Sequence, residues 1–407
     1  MHLAAAARYP LLAVEEAQER ITAQCWPLAT ERVRFDAALG RVLAEDVRAP
    51  EPLPPFRSAA VDGYAVRTDD GAAPRRVVAE ILAGQEAPGP LAPGEGAWVT
   101  TGAPLPEGAD AVIMVEQTTR DGDVVLLARA PQPGEGFHHV GESVGAGESV
   151  LERGMVVGPA EIGIMATNGV VDVAVHRRPV VAVLSTGDEL VEPDEPRRLA
   201  SIRDSNRYAV MASVAATGAL PLSLGIARDV AAEHEAKMRA GLEHADVLIT
   251  SGGVSMGNRD LIKEILEAWG TVHVGRVRFK PGKPLTFATV DGKLVFGLPG
   301  FPVSSLVTFE VFVRPALLRL MGARVVERPR ARVVLAQPAK PSPDRTEYQR
   351  AAVRWQDGRL VATATGVQAS HRLLSMVGAN ALLIIAPGTA PLPAGSEVEA
   401  LLTGPLG

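Results

Sequence analysis

From Arg178 onward, apolar runs of strand length alternate with stretches whose apolar residues recur at helical spacing. VVAVLS is followed by NRYAVMASVAATG, LPLSLGIA, a charged helical stretch over Ala231–His244, DVLITS and LIKEILEAWG. That alternation predicts an α/β unit with a parallel-type sheet covered by helices. Further upstream, VEEAQERITAQC (Val14–Cys25) has helical periodicity, and a second short helical stretch is expected around Glu31–Leu43. Between there and Gly147 the pattern shortens to runs such as GAWVTTGA and DVVLLARA, broken by Pro, Gly and the Asp121–Gly122 pair, which reads as a β-rich insertion. After Glu327 the chain is again strand-like: RARVVLA, AAVRW and LVATATG around a turn at Asp357–Gly358, then ALLIIA and SEVEALL. These runs predict a small C-terminal barrel or sandwich.

A length of 407 residues exceeds one ordinary core and implies two to four domains. Composition removes several classes of function. With 47 acidic and 41 basic residues the formal charge is −6, and no Lys/Arg run is long enough to track a phosphate backbone, which argues against nucleic acid as a partner. The single cysteine, Cys25, excludes an internal disulfide framework and a cysteine-cluster metal site, and reads as an idle thiol of a reducing cytoplasm. The N-terminus turns acidic after one short apolar patch and makes a poor secretory signal. Leu373–Ser396 carries no formal charge, but Gly378, Pro387, Gly388, Pro391 and Pro393 interrupt it, so it is not a transmembrane helix. A cytoplasmic protein without membrane contact is expected.

Candidate chemistry gathers at the carboxyl ends of the expected strands, where open α/β sheets bind ligands. VVAVLSTGDEL ends in Ser185, Thr186, Gly187 and Asp188, and DVLITSGGVSMG ends in Ser251, Gly252, Gly253 and Ser255. Glycine removes the Cβ from such a turn, so amides and hydroxyls can approach a bound anion. GIARD and GLPGFP, with Pro299 and Pro302, end strands in the same way. Five acidic residues, Asp188, Glu189, Asp204, Asp229 and Asp260, follow strands or start helices. Two of them would suffice for Mg2+, which takes one or two carboxylates together with substrate phosphates and water. Each also has a plainer reading: Asp204 as a helix cap, Asp229 and Asp260 as solvated loop acids. Lys280 and Lys283 flank a Pro-Gly turn that can aim both ammonium groups at one oxyanion, or can leave them on a solvated surface. In the insertion, Asp62 and Thr101 stand beside Gly turns and could act chemically or only as turn and cap residues. His138 and His139 are adjacent on an extended segment and point to opposite faces, which disfavours a metal site.

Taken together, VDGYAV, TTGAPLPEGADAVIMVEQ, STGDEL, DSN, SGGVSMGNRD, KPGKPLTFA, GLPGFPVS and TEYQR resemble, in that order, the molybdopterin molybdenumtransferases and the E domain of gephyrin. The likeness spans nearly the whole chain. It implies four domains: a linker and dimerisation domain from 28–46 and 148–178, the β-rich insertion from 47–147, a molybdopterin-binding α/β domain from 10–27 and 179–327, and a C-terminal β-barrel from 328–407. It further implies a homodimer with the active site shared between subunits, so that Asp62 and Thr101 act in trans. The substrates it implies are adenylylated molybdopterin and molybdate, with Mg2+-dependent release of AMP and contact with a molybdopterin adenylyltransferase. Asp62, Glu189, Asp229 and Asp260 match acidic positions tied to activity, the last three as metal ligands. Lys280, Lys283 and Arg350 match basic anion-binding positions, and Ser304, Ser370 and Ser375 are placed around molybdate. Three departures stand out: Phe301 where relatives often have Asn, and Ser143 and Arg57 where some have Asp. Two other readings compete, a non-catalytic molybdopterin-binding scaffold and a molybdopterin adenylyltransferase; the acidic set with both lysines disfavours the first, the flanking β domains and TEYQR the second.

Overall fold

The computed structural model describes residues 9–252 and 261–406. Six strands form the central sheet: β1 (Val180–Thr186), β2 (Leu220–Ala227), β3 (Val247–Ser251), β4 (Thr271–Val274), β5 (Thr286–Val290) and β6 (Lys293–Leu298). Their order across the sheet is β2-β1-β3-β6-β5-β4. β1, β2, β3 and β6 are parallel, as the helical crossovers between the first three require. β5 and β4 are antiparallel additions, so the sheet is mixed. The cause is local: Asp291 and Gly292 have φ of 49° and 75°, the left-handed pair that a two-residue hairpin between twisted strands demands.

Both faces of this sheet are buried, which is why its strands read as continuous apolar runs. Val181, Val183, Val247, Ile249 and Phe296 pack on one side with helices Val14–Thr22, Asn206–Ala216 and Pro302–Thr308. Ala182, Leu184, Leu248 and Val295 pack on the other, under helices Ala231–His244 and Leu261–Trp269. Successive side chains alternate between the two cores, as the pleat dictates. Helix Val14–Thr22 contributes Val14, Ala17 and Ile21, and Cys25 follows it with its thiol donating to the Ile21 carbonyl at 3.2 Å. Burial pushes the Cys25 thiol up to about 12. The thiolate is the reactive form, so Cys25 is expected to resist a maleimide or disulfide reagent at pH 8 in the folded protein and to react only after unfolding, which a colorimetric thiol titration with and without denaturant checks.

The helix expected around Glu31–Leu43 is absent. Thr30–Arg34 is instead a strand paired antiparallel with Asp172–His176, followed by one 3₁₀ turn at Phe35–Ala37. Pairing with a strand about 140 residues away outweighs a weak local helical pattern. This small sheet, the Pro159–Thr167 helix and the Val47–Arg48/Ser149–Leu151 ladder share one core around Leu43, Leu151, Met165 and Val175.

The β-rich insertion is a six-stranded sheet in the order Ala111–Met114, Gly63–Val66, Glu95–Val99, Arg75–Ile81, Val124–Leu127, Thr118–Asp121. The Asp121–Gly122 pair joins its last two strands, as the sequence predicts. In the C-terminal region the barrel alternative is the one realised. Thr346–Gln356 pairs with both Arg359–Ala364 and Ala381–Ile385, and Arg330–Leu335 and Glu397–Leu402 complete five strands with no free edge. Phe279–Lys280 adds in parallel to the start of that long strand, at Thr346–Glu347. Phe279 also stacks on Tyr348 at 5.0 Å, so the lysine loop of the α/β unit is clamped to the barrel. Among the described residues no helix is long and apolar enough to cross a membrane.

Candidate functional site

Register decides where the strand-end loops meet. Ser185 on β1 is paired with Ser251 on β3, and Ser251 with Leu298 on β6, while Thr186 is paired with Ala227 on β2. STGDEL, SGG, LPGFP and ARD therefore leave the sheet at one level. Gly252 and Gly300 touch: a methyl on Gly300 would stand 3.6 Å from the Gly252 Cα. A methyl on Gly252, whose φ is 95°, would stand only 2.6 Å from the Thr186 carbonyl oxygen. Gly187, at φ 146°, lies under the carboxylate of Glu189 with no room for a Cβ. Gly252 is required to be glycine both by its backbone conformation and by the closeness of the Thr186 backbone, and Gly187 by its backbone conformation.

A cavity of about 600 Å³ opens between these loops, within the range that small-molecule ligands occupy. Thr186, Gly187, Glu189, Asn206, Asp229, His234, Ser251, Gly252, Gly300 and Pro302 are among its lining residues. Asn206 donates to Ser251 Oγ at 2.8 Å and to the Gly300 carbonyl at 2.7 Å, tying two of the loops together. Asp188 is braced rather than free: it accepts the Asp229 N–H at 3.2 Å, and Arg228 donates to the Asp188 and Leu190 carbonyls at 3.2 and 2.9 Å. These bonds hold the Glu189 turn and the Asp229 turn as one unit.

Ser185 is buried beneath the cavity, and Asp204, almost fully buried, lines its floor. Asp204 Oδ1 accepts from Ser185 Oγ at 2.9 Å and from the Arg207 N–H at 3.1 Å, the capping arrangement its plainer reading anticipates, and the carboxylate also pairs with the Arg207 guanidinium. Gly253, Ser255 and Asp260 lie outside the described residues. His138 and His139 diverge: His138 Nδ1 is 3.4 Å from Glu142, while the His139 ring packs on Phe137.

A second group of predicted residues lies between helix Pro302–Thr308 and the barrel. Arg350 is fully buried; its Nε and one terminal nitrogen each donate to Ser375 Oγ at 3.1 Å, and its other terminal nitrogen has no partner. Burial lowers its pKa to about 10, against the attraction of Glu347, so the guanidinium stays charged at neutral pH. Lys280 reaches the buried Glu347 carboxylate at 3.2 Å. Lys283 is half-buried, and its ammonium forms no hydrogen bond or ion pair among the described residues. Ser304 is buried, the Ser370 carbonyl accepts the Val303 N–H at 3.1 Å, and the Pro299 carbonyl accepts a short bond from Ser305. None of Lys280, Lys283, Arg350, Ser304, Ser370 or Ser375 lines the strand-end cavity.

Asp62 and Thr101 form a third, separate point on the insertion. Thr101 donates both its N–H and its hydroxyl to Asp62 Oδ1, at 2.6 and 2.8 Å. The amide bond foremost, with the hydroxyl second, holds Asp62 below its usual pKa, so it is ionised at neutral pH. Neither residue belongs to the cavity of its own chain. Of the departures, Phe301 is exposed at the cavity mouth beside His371, with ring centroids 6.5 Å apart. Arg57 donates to the Ala109 carbonyl at 2.9 Å, and the Ser143 N–H donates to Leu53.

His234 and Asn206 are among the lining residues that sequence reasoning missed. His234 is fully buried, and neither ring nitrogen has a hydrogen-bond partner. Its Nε2 is 4.0 Å from Asp229 Oδ1. Burial lowers its pKa against the pull of Asp229, Glu233, Asp188 and the Arg228 carbonyl. The signal was present: a histidine on the same helix face as Met238, Gly241 and Leu242, five residues after Asp229.

A doubly covered α/β sheet with a glycine-walled, carboxylate-bearing cavity at its strand ends, carrying a β insertion and a closed barrel, defines a multidomain binder of small anionic ligands. Comparison with known proteins sharpens the class. Residues 12–169 match the family described as MoeA N-terminal region (domain I and II), residues 182–319 the "Probable molybdopterin binding domain", and residues 332–403 the MoeA C-terminal region (domain IV). The chain is 33% identical to the molybdopterin molybdenumtransferase of Haemophilus influenzae, covering 95% of this chain and 98% of that protein. Identity to the enzyme of the same name from Bacillus subtilis is 35%, over 96% and 93%. Gephyrin of Dictyostelium discoideum is 35% identical over 98% of this chain, which spans 63% of that longer protein. The crystal structure of the molybdopterin biosynthesis MoeA protein from Pyrococcus horikoshii superposes with a TM-score of 0.83 at 30% identity, covering 97% of this chain and all of that one. The chain belongs to the molybdopterin molybdenumtransferase family.

Proposed function

We propose that this protein is a molybdopterin molybdenumtransferase, which inserts molybdate into adenylylated molybdopterin with release of AMP, in the last step of molybdenum cofactor assembly. The observation that carries this reading is the strand-end cavity, where Glu189 and Asp229 share one wall system with Thr186, Ser251 and Asn206. Carboxylates beside anion-receiving glycine loops suit a pyrophosphate held through a divalent cation. The donor chemistry fits Mg2+: Glu189 and Asp229 both line the cavity, and Mg2+ prefers one or two carboxylates with phosphate oxygens and water. Glu189 and Asp229, joined by Asp260 from the sequence, would hold it. When bound, Mg2+ offsets charge on the phosphate oxygens and the leaving AMP.

The remaining residues take roles that their surroundings support. The glycine loops admit the phosphates close to backbone amides, and Asn206 keeps the Ser251 and Gly300 loops from parting. Arg350, with one buried terminal NH2 unpaired, can accept an oxyanion without breaking an existing bond, and a buried donor left unpaired is otherwise unfavourable. Lys280, Lys283, Ser304, Ser370 and Ser375 complete the surroundings proposed for molybdate, a tetrahedral dianion that needs several converging donors.

Asp62 and Thr101 are proposed to reach the cavity of a second subunit in a cytoplasmic homodimer, since neither lines the strand-end cavity of its own chain. Exposed apolar residues on the linking region, Leu39, Val156 and Val171, support burial of that region against another copy. Contact with a molybdopterin adenylyltransferase would hand over the adenylylated substrate.

The test is incubation of purified protein with adenylylated molybdopterin and Mg2+, with and without molybdate, following AMP and dithiolene-bound molybdenum. AMP release coupled to molybdenum insertion is expected; pterin binding without either product would favour the scaffold. Asp62→Asn and Asp229→Asn homodimers are each expected to be inactive, while mixing them with verified subunit exchange restores part of the activity. No rescue would remove the shared site.

A further inference from the structure

We propose that His234 is a positioning residue for Asp229, supplying from Nε2 the hydrogen bond that orients this carboxylate toward the cavity. The proposal deepens the reading above and rests on Asp229 acting at this site. Packing alone does not call for histidine here. Helix Ala231–His244 turns His234, Met238, Gly241 and Leu242 inward, and an apolar side chain would satisfy that stripe. The imidazole instead brings two polar atoms into a fully buried place; neither makes a well-formed hydrogen bond, although the Arg228 carbonyl lies beside the ring. Buried polar atoms are nearly always paired, so an orphaned ring on a cavity wall marks a contact that is not yet closed.

Asp229 is what the ring faces across the shortest charged gap. Nε2 is 4.0 Å from Oδ1, about 1 Å beyond a hydrogen bond. The carboxylate is half-exposed and, among the described residues, accepts no hydrogen bond; only the backbone N–H of Asp229 is held, by Asp188. A modest rotation of the Asp229 side chain closes the gap and leaves its other oxygen directed to the ligand. The fixed partner is the imidazole, because it is locked in the helix core; the movable one is the carboxylate. Hydrogen bonds to the outer side of ligating carboxylates are a general means of holding them in place. The Arg228 carbonyl is a second acceptor beside the ring and the main rival for its proton.

Two substitutions separate these roles. In His234→Gln the side-chain amide reaches about as far as Nε2; in His234→Asn it reaches only to the level of Nδ1. Titration calorimetry with Mg2+ alone, without pterin, is run on both, on the parent and on Asp229→Asn, together with kcat and KM for AMP release. His234→Asn is expected to weaken Mg2+ binding about tenfold and to lower kcat more than it raises KM, whereas His234→Gln stays within about threefold of the parent. In the double variant His234→Asn/Asp229→Asn, the histidine change adds little to the loss caused by Asp229→Asn. Equal behaviour of Gln and Asn, the reverse order, or full additivity with Asp229→Asn overturns the proposal. Should Asp229→Asn itself bind Mg2+ and release AMP like the parent, the role of Asp229 in the proposed function fails instead.

Discussion

The double variant Glu189→Gln/Asp229→Asn is expected to release AMP from adenylylated molybdopterin about 10³-fold more slowly than the parent while still folding and still binding the pterin. Both side chains line the strand-end cavity, and both substitutions keep shape while removing charge. No side-chain hydrogen bond from either carboxylate supports the fold among the described residues, so the stability cost is expected to stay under about 1 kcal/mol. The rate cost is larger because the proposed Mg2+ would lose the two carboxylates that hold it, and with it the charge it would offset on the departing phosphate; losing one preorganised electrostatic contact typically costs about 10²–10³-fold. Single-turnover AMP release at saturating Mg2+, with pterin affinity measured separately by fluorescence, checks both halves. A parental rate in the double variant would exclude this cavity as the place where the pyrophosphate is cleaved.

Gly252→Ala is expected to be strongly destabilising and to disrupt the cavity wall. Its Cβ would meet the Thr186 carbonyl oxygen at 2.6 Å and the Thr186 hydroxyl at 2.9 Å, while φ stands at 95°. Strain and overpacking together predict a loss of roughly 2–5 kcal/mol, and β1 and β3 can relieve it only by separating the two loops that wall the cavity. Gly292→Ala is the matched control. At φ 75° with nothing within 4 Å of the added methyl, it carries the conformational cost alone, about 1–2 kcal/mol. Urea unfolding of the two variants should differ by about the steric part, and ligand binding should fail in Gly252→Ala only. Equal destabilisation would mean that the close approach of Gly252 to Thr186 is not rigid.

Much of the architecture is legible in the sequence because strand and helix periodicity is a local property. The Ala231–His244 helix and the β1, β2 and β3 runs fall where apolar spacing puts them. The Glu31–Leu43 segment shows the limit. Its apolar positions fit a helix, and only the ladder with Asp172–His176 makes Thr30–Arg34 a strand. The Asp291–Gly292 hairpin is the opposite case, a local turn signal overlooked beside the stronger alternation around it.

For the site, residue chemistry at strand ends pointed to Thr186, Gly187, Glu189, Asp229, Ser251 and Gly252, and the fold brings these six into one cavity. It does not bring Arg350, Lys280 and Lys283 there, but sets them on the barrel side of helix Pro302–Thr308. Spacing along the chain cannot distinguish one crevice from two adjoining ones.

The sequence by itself determined the order of elements, the glycine loops after β1, β3 and β6, and the acidic and basic side chains available, because these depend on residues within a few positions of one another. The tertiary structure alone decided that Thr346–Gln356 closes a barrel, that Asp188 holds the Asp229 N–H, that Arg350 keeps one terminal NH2 unpaired, and that His234 faces Asp229 from a helix core. Each of those depends on pairing across a fold whose chain entropy is overcome only when whole layers pack together, and no local pattern records which distant partner that packing selects.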